Sequence, residues 1–83
     1  MSIFILPTTG AGRLRRQPVR SSNLASVGYD ALSGTLDVGF RSGSVYRHYR
    51  VPESLHRGLM GASSKGGYYA LHLRNRYGCR RIA

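Results

Sequence analysis

The sequence predicts an α+β domain: a three-stranded antiparallel β-meander followed by two helices packed on one face, with an N-terminal arm or strand ahead of it. Three observations carry this expectation. Residues 35–40, "TLDVGF", alternate apolar and polar side chains as a half-buried strand does. β-forming residues crowd "VYRHYRV" directly after a glycine turn. Pro52 then opens a stretch whose apolar residues recur at helical spacing.

Taken in order, "MSIFIL" reads as a short strand ended by Pro7, and "PTTGAG" as a loop. "RLRRQPVR" is a basic connector in which Pro18 prevents a regular central strand. Residues 1–16 are therefore expected to form an arm and residues 17–83 the domain. "SIFIL" is expected to add as a strand to the sheet of a neighbouring subunit in a homo-oligomer. "NLASVGYD" is the first strand of the meander, with Val27 and Tyr29 on one face, and "ALSG" turns the chain. "TLDVGF" puts Leu36, Val38 and Phe40 inward, and "RSGS" makes a hairpin with Gly43 free to take positive φ. Two registers are open here. A two-residue turn would set Val45, Arg47 and Tyr49 beside Leu36, Val38 and Phe40. A bulge at Gly43 would set Tyr46, His48 and Arg50 there instead, because a one-residue slip flips every side chain. The second is expected, since the first buries the Arg47 charge beside Val38. Arg47 and Tyr49 then face outward together.

In "PESLHRGLMGA", Leu55, Leu59 and Ala62 lie along one stripe and Glu53 complements the helix dipole. Gly58 costs roughly 1 kcal/mol of helix propensity against alanine, which suits close approach of a neighbour. A second helix is expected from about Ser64 to Tyr77, with Ala70, Leu73 and Tyr77 inward and Tyr69 beside them. Gly78 terminates it, and "CRRIA" is left as a tail.

With 83 residues, one domain is the natural count. A domain of this size buries only about 60% of its unfolded surface and needs good packing or an oligomer. Net charge is +10, and the only acids are Asp30, Asp37 and Glu53. This imbalance points to an anionic partner such as RNA, a nucleotide or an acidic protein surface. A GC-rich coding sequence would equally explain arginine in place of lysine, but not the missing acids. The single cysteine, Cys79, excludes a disulfide framework or a cysteine-rich metal site, and fits a reduced cytoplasmic setting. The run "IFIL" is too short for a membrane span or a signal-peptide core. No cofactor or metal is expected.

The stretch "SSKGGYY" raises the sharpest functional question. Ser63 or Ser64 is a good N-cap, after which Lys65, Gly66 and Gly67 form the first helical turn. Free amides, the positive end of a dipole and two residues without Cβ suit a phosphate. Lys65 adds charge there, and Tyr68 or Tyr69 supplies a wall. The alternative is plain capping and tight packing of the helix on the sheet. The spacing is not that of a P-loop. His48, His56 and His72 lack paired spacing and read as solvated or core-edge residues. Asp30 and Asp37 serve turns and pairing, and no nucleophile elbow or Ser-His-Asp order is visible.

From Ser21 to about Ile82 the chain resembles the KTSC domain, a family named for the C-terminus of certain lysyl-tRNA synthetases. It also occurs as small free-standing bacterial and phage proteins. The resemblance lies in "SSNLASVGYD", "LDVGFRSGSVYRHYRVP" and "GLMGASSKGGYYALHLRNRYGCRRI". The family has a central Y-x-Y. Tyr46 matches its first tyrosine, and His48 stands at the second. The resemblance implies an RNA-binding role without defined catalytic residues.

The expected function is non-catalytic binding of a phosphate-bearing nucleotide ligand. The first choice is a small signalling nucleotide sequestered by a small oligomeric protein, in the manner of basic phage proteins that capture immune signals. Its site would comprise residues 63–69 with arginines of a neighbouring subunit. The alternative is an RNA-binding module using Arg47, Arg50, Arg74 and Arg76, with Tyr49 or Tyr68 as stacking platforms. A small phosphodiester-cleaving enzyme is the third reading.

Overall fold

The computed structural model describes residues 14–83. The strand expected at "SIFIL" lies outside the described residues. Five strands form one antiparallel sheet in sequence order: β1 (Gln17–Pro18), β2 (Leu24–Asp30), β3 (Thr35–Phe40), β4 (Val45–His48) and β5 (Cys79–Arg81). Helices α1 (Glu53–Gly61) and α2 (Lys65–His72) lie between β4 and β5 in the chain.

The expected meander is β2 to β4, and the sheet gains a strand at each edge. Gln17 and Pro18 pair with Val27 and Ser26. Proline is tolerated there because an edge strand leaves its outer N–H positions unpaired. The other edge is "CRR", read from sequence as a tail, which pairs with β4 through Tyr46↔Arg81, Arg47↔Arg80 and His48↔Cys79. It reaches β4 because α2 stops at His72, five residues short of the expected Tyr77. The chain turns through Leu73 and through Asn75 at φ 60, a left-handed conformation that asparagine tolerates.

The hairpin register follows the bulge at Gly43. Leu36 lies opposite His48 and Val38 opposite Tyr46. The Phe40 amide donates to the Ser44 carbonyl, the Gly43 amide donates to the Phe40 carbonyl, and Gly43 sits at φ 103. Tyr46 and His48 are thereby turned to the inner face. A second irregularity, between Leu24 and Ser26 of β2, lets both Leu24 and Val27 point inward. The core joins Leu24, Val27, Leu36 and Val38 of the sheet to Val51, Leu59, Tyr69 and Leu73. Ala70, expected inward, is exposed, and Tyr69 takes its place. Gly58 does allow close approach: a Cβ there would lie 2.0 Å from the Tyr68 hydroxyl.

The outer face of the sheet differs most from expectation. Arg47 points away from the helices but is not exposed. Its Nε and Nη2 donate to Asp37 Oδ1 and Oδ2 at 2.7 and 2.8 Å, and the two residues are 8% and 1% accessible. The segment before β1, counted above as arm, crosses this face. A Cβ on Gly28 would lie 2.7 Å from the Arg15 carbonyl oxygen, and one on Gly39 2.5 Å from the Ser26 hydroxyl, which accepts from Arg16 Nε at 3.0 Å. Glycine leaves room for the crossing chain at Gly28 and for the Ser26 side chain at Gly39. The long aliphatic stem of an arginine and a carboxylate matched to its fork then fill the rest.

Candidate ligand-binding cleft

The helix start read as a phosphate seat is occupied by its own side chains. Ser64 is the N-cap, and its hydroxyl accepts the Gly67 amide at 3.2 Å. Lys65 Nζ turns back to donate to the Ala62 carbonyl at 3.1 Å. Gly66 faces Asn23, whose Cβ would lie 3.5 Å from a Cβ added there. Ser63 is exposed, and Tyr68 packs on Gly58 and stacks at a tilt on His72. None of Ser63, Ser64, Lys65, Gly66 or Gly67 lines either of the two clefts described next. The remaining expected residues scatter. Arg47 is locked on Asp37, Tyr49 lies half-buried on the outer face, and Arg50 is exposed at φ 58 beyond β4. Arg74 and Tyr69 share one cleft, and Arg76 lines another.

The first cleft, of about 480 Å³, opens between the β3–β4 hairpin, α2 and the loop leading to β5. Its floor is Phe40, Tyr46 and His48, turned inward by the Gly43 bulge. Tyr69 of α2 forms one wall. Phe40 meets Tyr46 edge to face at 6.0 Å between ring centroids, and Tyr69 likewise at 5.2 Å. Such edge-on contacts hold aromatic rings in fixed orientations. Arg74, Asn75 and Tyr77 close the far side, and Asn23, Ser42, Ser44 and Cys79 make a polar rim. Among the described residues, no carboxylate lines the cleft, and Arg74 is its one formally charged side chain.

His48 is the unusual group. It is 1% accessible, and its Nε2 shares a hydrogen bond of 3.0 Å with the Tyr69 hydroxyl. Its Nδ1 is buried without a partner, the only side-chain atom in that state among the described residues. Burial lowers the His48 pKa below its ordinary value, and the Asp37 charge behind the sheet offsets this only in part. The ring is therefore neutral at pH 7. Burial also pushes Tyr69 up to about 12, so its hydroxyl keeps its proton. Burial raises the Cys79 thiol as well.

Sequence reasoning missed Phe40, Tyr46, His48 and Tyr77 as site residues. The signal was present for two of them. The preferred register already turned Tyr46 and His48 inward, two polar-tipped aromatics on one inner face. The second cleft, of about 490 Å³, is lined by Leu55, Leu71, His72, Arg76 and Tyr77. Among the described residues, no group of three His, Cys, Asp or Glu side chains could hold a metal ion, and no helix is long and apolar enough to cross a membrane.

Known proteins share this architecture. The KTSC domain model matches residues 20–77. A KTSC domain protein of Yersinia pestis, known from its crystal structure, superposes with a TM-score of 0.82 at 37% identity, over 86% of this chain and 100% of that one. An uncharacterized protein of Stutzerimonas stutzeri is 38% identical over 56 residues, 68% of this chain and 79% of its own length. A protein of Tsukamurella paurometabola is 36% identical over 52 residues, 63% of this chain and 78% of its own length.

Proposed function

The chain belongs to the KTSC domain family, and we propose that its aromatic cleft binds a nucleotide without transforming it. One observation carries this reading: the hairpin register turns Tyr46 and His48 into a cleft that Tyr69 walls and that Arg74 lines. Planar bases stack on such rings, and each stacked base contributes about 1–3 kcal/mol. Arg74, with no carboxylate beside it, offers the phosphate a planar fork. The volume of about 480 Å³ falls in the usual range of small-ligand sites. Binding is favoured over cleavage because Tyr69, at about 12, is far from neutral and the imidazole is enclosed. A free small nucleotide and one residue of an RNA strand present the same chemistry. A cleft of about 480 Å³, bounded by a hairpin, a helix and a loop, fits the first better.

Calorimetry with the four ribonucleoside 5′-monophosphates and with a single-stranded RNA hexamer tests the reading. Arg74→Gln and Tyr46→Ala, checked for native circular dichroism, are each expected to weaken binding about tenfold or more. Lys65→Ala with Gly66→Ala is expected to leave it unchanged. Loss of binding only in the Lys65/Gly66 variant would return the site to the start of α2. Absence of heat with every nucleotide at millimolar concentration would remove the reading altogether. A free-nucleotide site loses affinity shallowly with salt, whereas a long RNA footprint loses it steeply.

A further inference from the structure

The two clefts meet at one side chain. Tyr77, half-buried against the core, lines both the first cleft and the second. The loop that carries it distributes its cations between them: Arg74 lines the first cleft and Arg76 the second. Local geometry produces this split. The amides of Leu73 and Arg74 both donate to the Tyr69 carbonyl, the Arg76 amide donates to the Leu73 carbonyl, and Asn75 takes φ 60 between the two arginines. Each cleft thus has an aromatic surface, an arginine and a volume near 480–490 Å³. The second adds an apolar floor from Leu55 and an exposed Leu71, which is 66% accessible although apolar.

Resting on the nucleotide reading above, we infer that the ligand has two nucleotide units, one in each cleft, with the Tyr77 ring between them. One base stacks in the Tyr46–Tyr69 cleft and the other covers Leu71 against Tyr77. Arg74 and Arg76 each serve a phosphate. A dinucleotide satisfies this arrangement, as do two consecutive residues of a strand. A mononucleotide leaves Leu71 and Arg76 unused.

The test is a length series by calorimetry: adenosine 5′-monophosphate, the 5′-phosphorylated diadenylate and the hexa-adenylate. Arg76→Gln and Leu71→Glu serve as second-cleft variants, since both side chains are exposed and neither supports the core. The dinucleotide is expected to bind about tenfold or more tighter than the mononucleotide. Either variant should bring its affinity down to the mononucleotide level while leaving mononucleotide binding unchanged. Tyr77→Phe should keep the gain and Tyr77→Ala should lose it. A hexamer no tighter than the dinucleotide identifies a free small ligand, and a much tighter hexamer identifies a strand. Both keep the two-unit footprint. Equal affinity of mono- and dinucleotide overturns the inference and leaves the single-cleft reading standing. A gain untouched by Arg76→Gln and Leu71→Glu overturns it too. Failure of every length to bind removes both readings together.

Discussion

Replacing Arg47 by methionine would leave the Asp37 carboxylate, 1% accessible, with its charge unpaired on the outer face of the sheet. Both of its oxygens now accept from the guanidinium, at 2.7 and 2.8 Å. Removing one partner of a buried pair costs about 3–5 kcal/mol, because the other charge stays desolvated. For 83 residues, total stability on the order of 4–12 kcal/mol is expected. The single change therefore takes a large share of it. At about 4–8 °C per kcal/mol for a domain of this size, Tm should fall by roughly 10–40 °C. Asp37→Leu alone should do similar damage, since it strands the guanidinium. The double variant, Asp37→Leu with Arg47→Met, replaces the pair by apolar side chains and is expected to be more stable than either single one. Urea unfolding followed by circular dichroism gives the three free energies. The reasoning fails if Arg47→Met costs less than about 1 kcal/mol, the value of an exposed pair. It fails equally if the double variant shows the sum of the two losses. The pair also matters to the cleft. It lies in register between Leu36↔His48 and Val38↔Tyr46, so it pins the alignment that points Tyr46 and His48 inward.

Further outcomes follow from the glycines and the histidines. Gly58→Ala should destabilise by about 1–3 kcal/mol despite its better helix propensity, because its Cβ would meet the rigid Tyr68 ring. Gly61→Ala, with nothing within 4 Å, should be neutral or stabilising by up to about 1 kcal/mol in the same urea assay. A loss at both positions alike would disprove the packing argument. Burial depresses the folded-state pKa of His48 and of His56 below 6.5, so the unfolded chain binds more protons as pH falls. Their contribution to stability is intact above pH 6.5 and declines as pH drops from there toward the depressed values. His48→Gln should flatten part of that decline, and an unchanged slope between pH 7 and 5 would contradict the burial of the ring.

How much of this was legible in the sequence depends on the range of the forces involved. Alternation in "TLDVGF", the turn at Gly43 and the helix opened by Pro52 are local patterns, and each forms where expected. The choice between two hairpin registers was legible as well, through the cost of burying Arg47 beside Val38. That argument placed Arg47 on the correct face and then assumed water there. Gly28 instead makes room for Arg15 and Arg16 to cross the sheet, and Asp37 supplies a partner. Contacts between residues ten or more positions apart leave no periodic trace.

Edge strands and the cleft belong to the same class. "QP" and "CRR" carry no alternation and become strands only because β2 and β4 offer them unpaired backbone. The end of α2 at His72 depends on Asn75 turning the chain so that β5 can reach β4. The sequence by itself determined the α+β class, the meander, the two helices and the net charge of +10, because each is set by spacing along the chain or by composition. Tertiary structure alone decided which side chains come together. It set the Ser64 hydroxyl on the Gly67 amide and Lys65 on the Ala62 carbonyl, and it gathered Tyr46, His48, Tyr69 and Arg74 from a strand, a helix and a loop around one cleft. Packing in three dimensions fixes which polar atoms are left without partners, and no one-dimensional pattern records that.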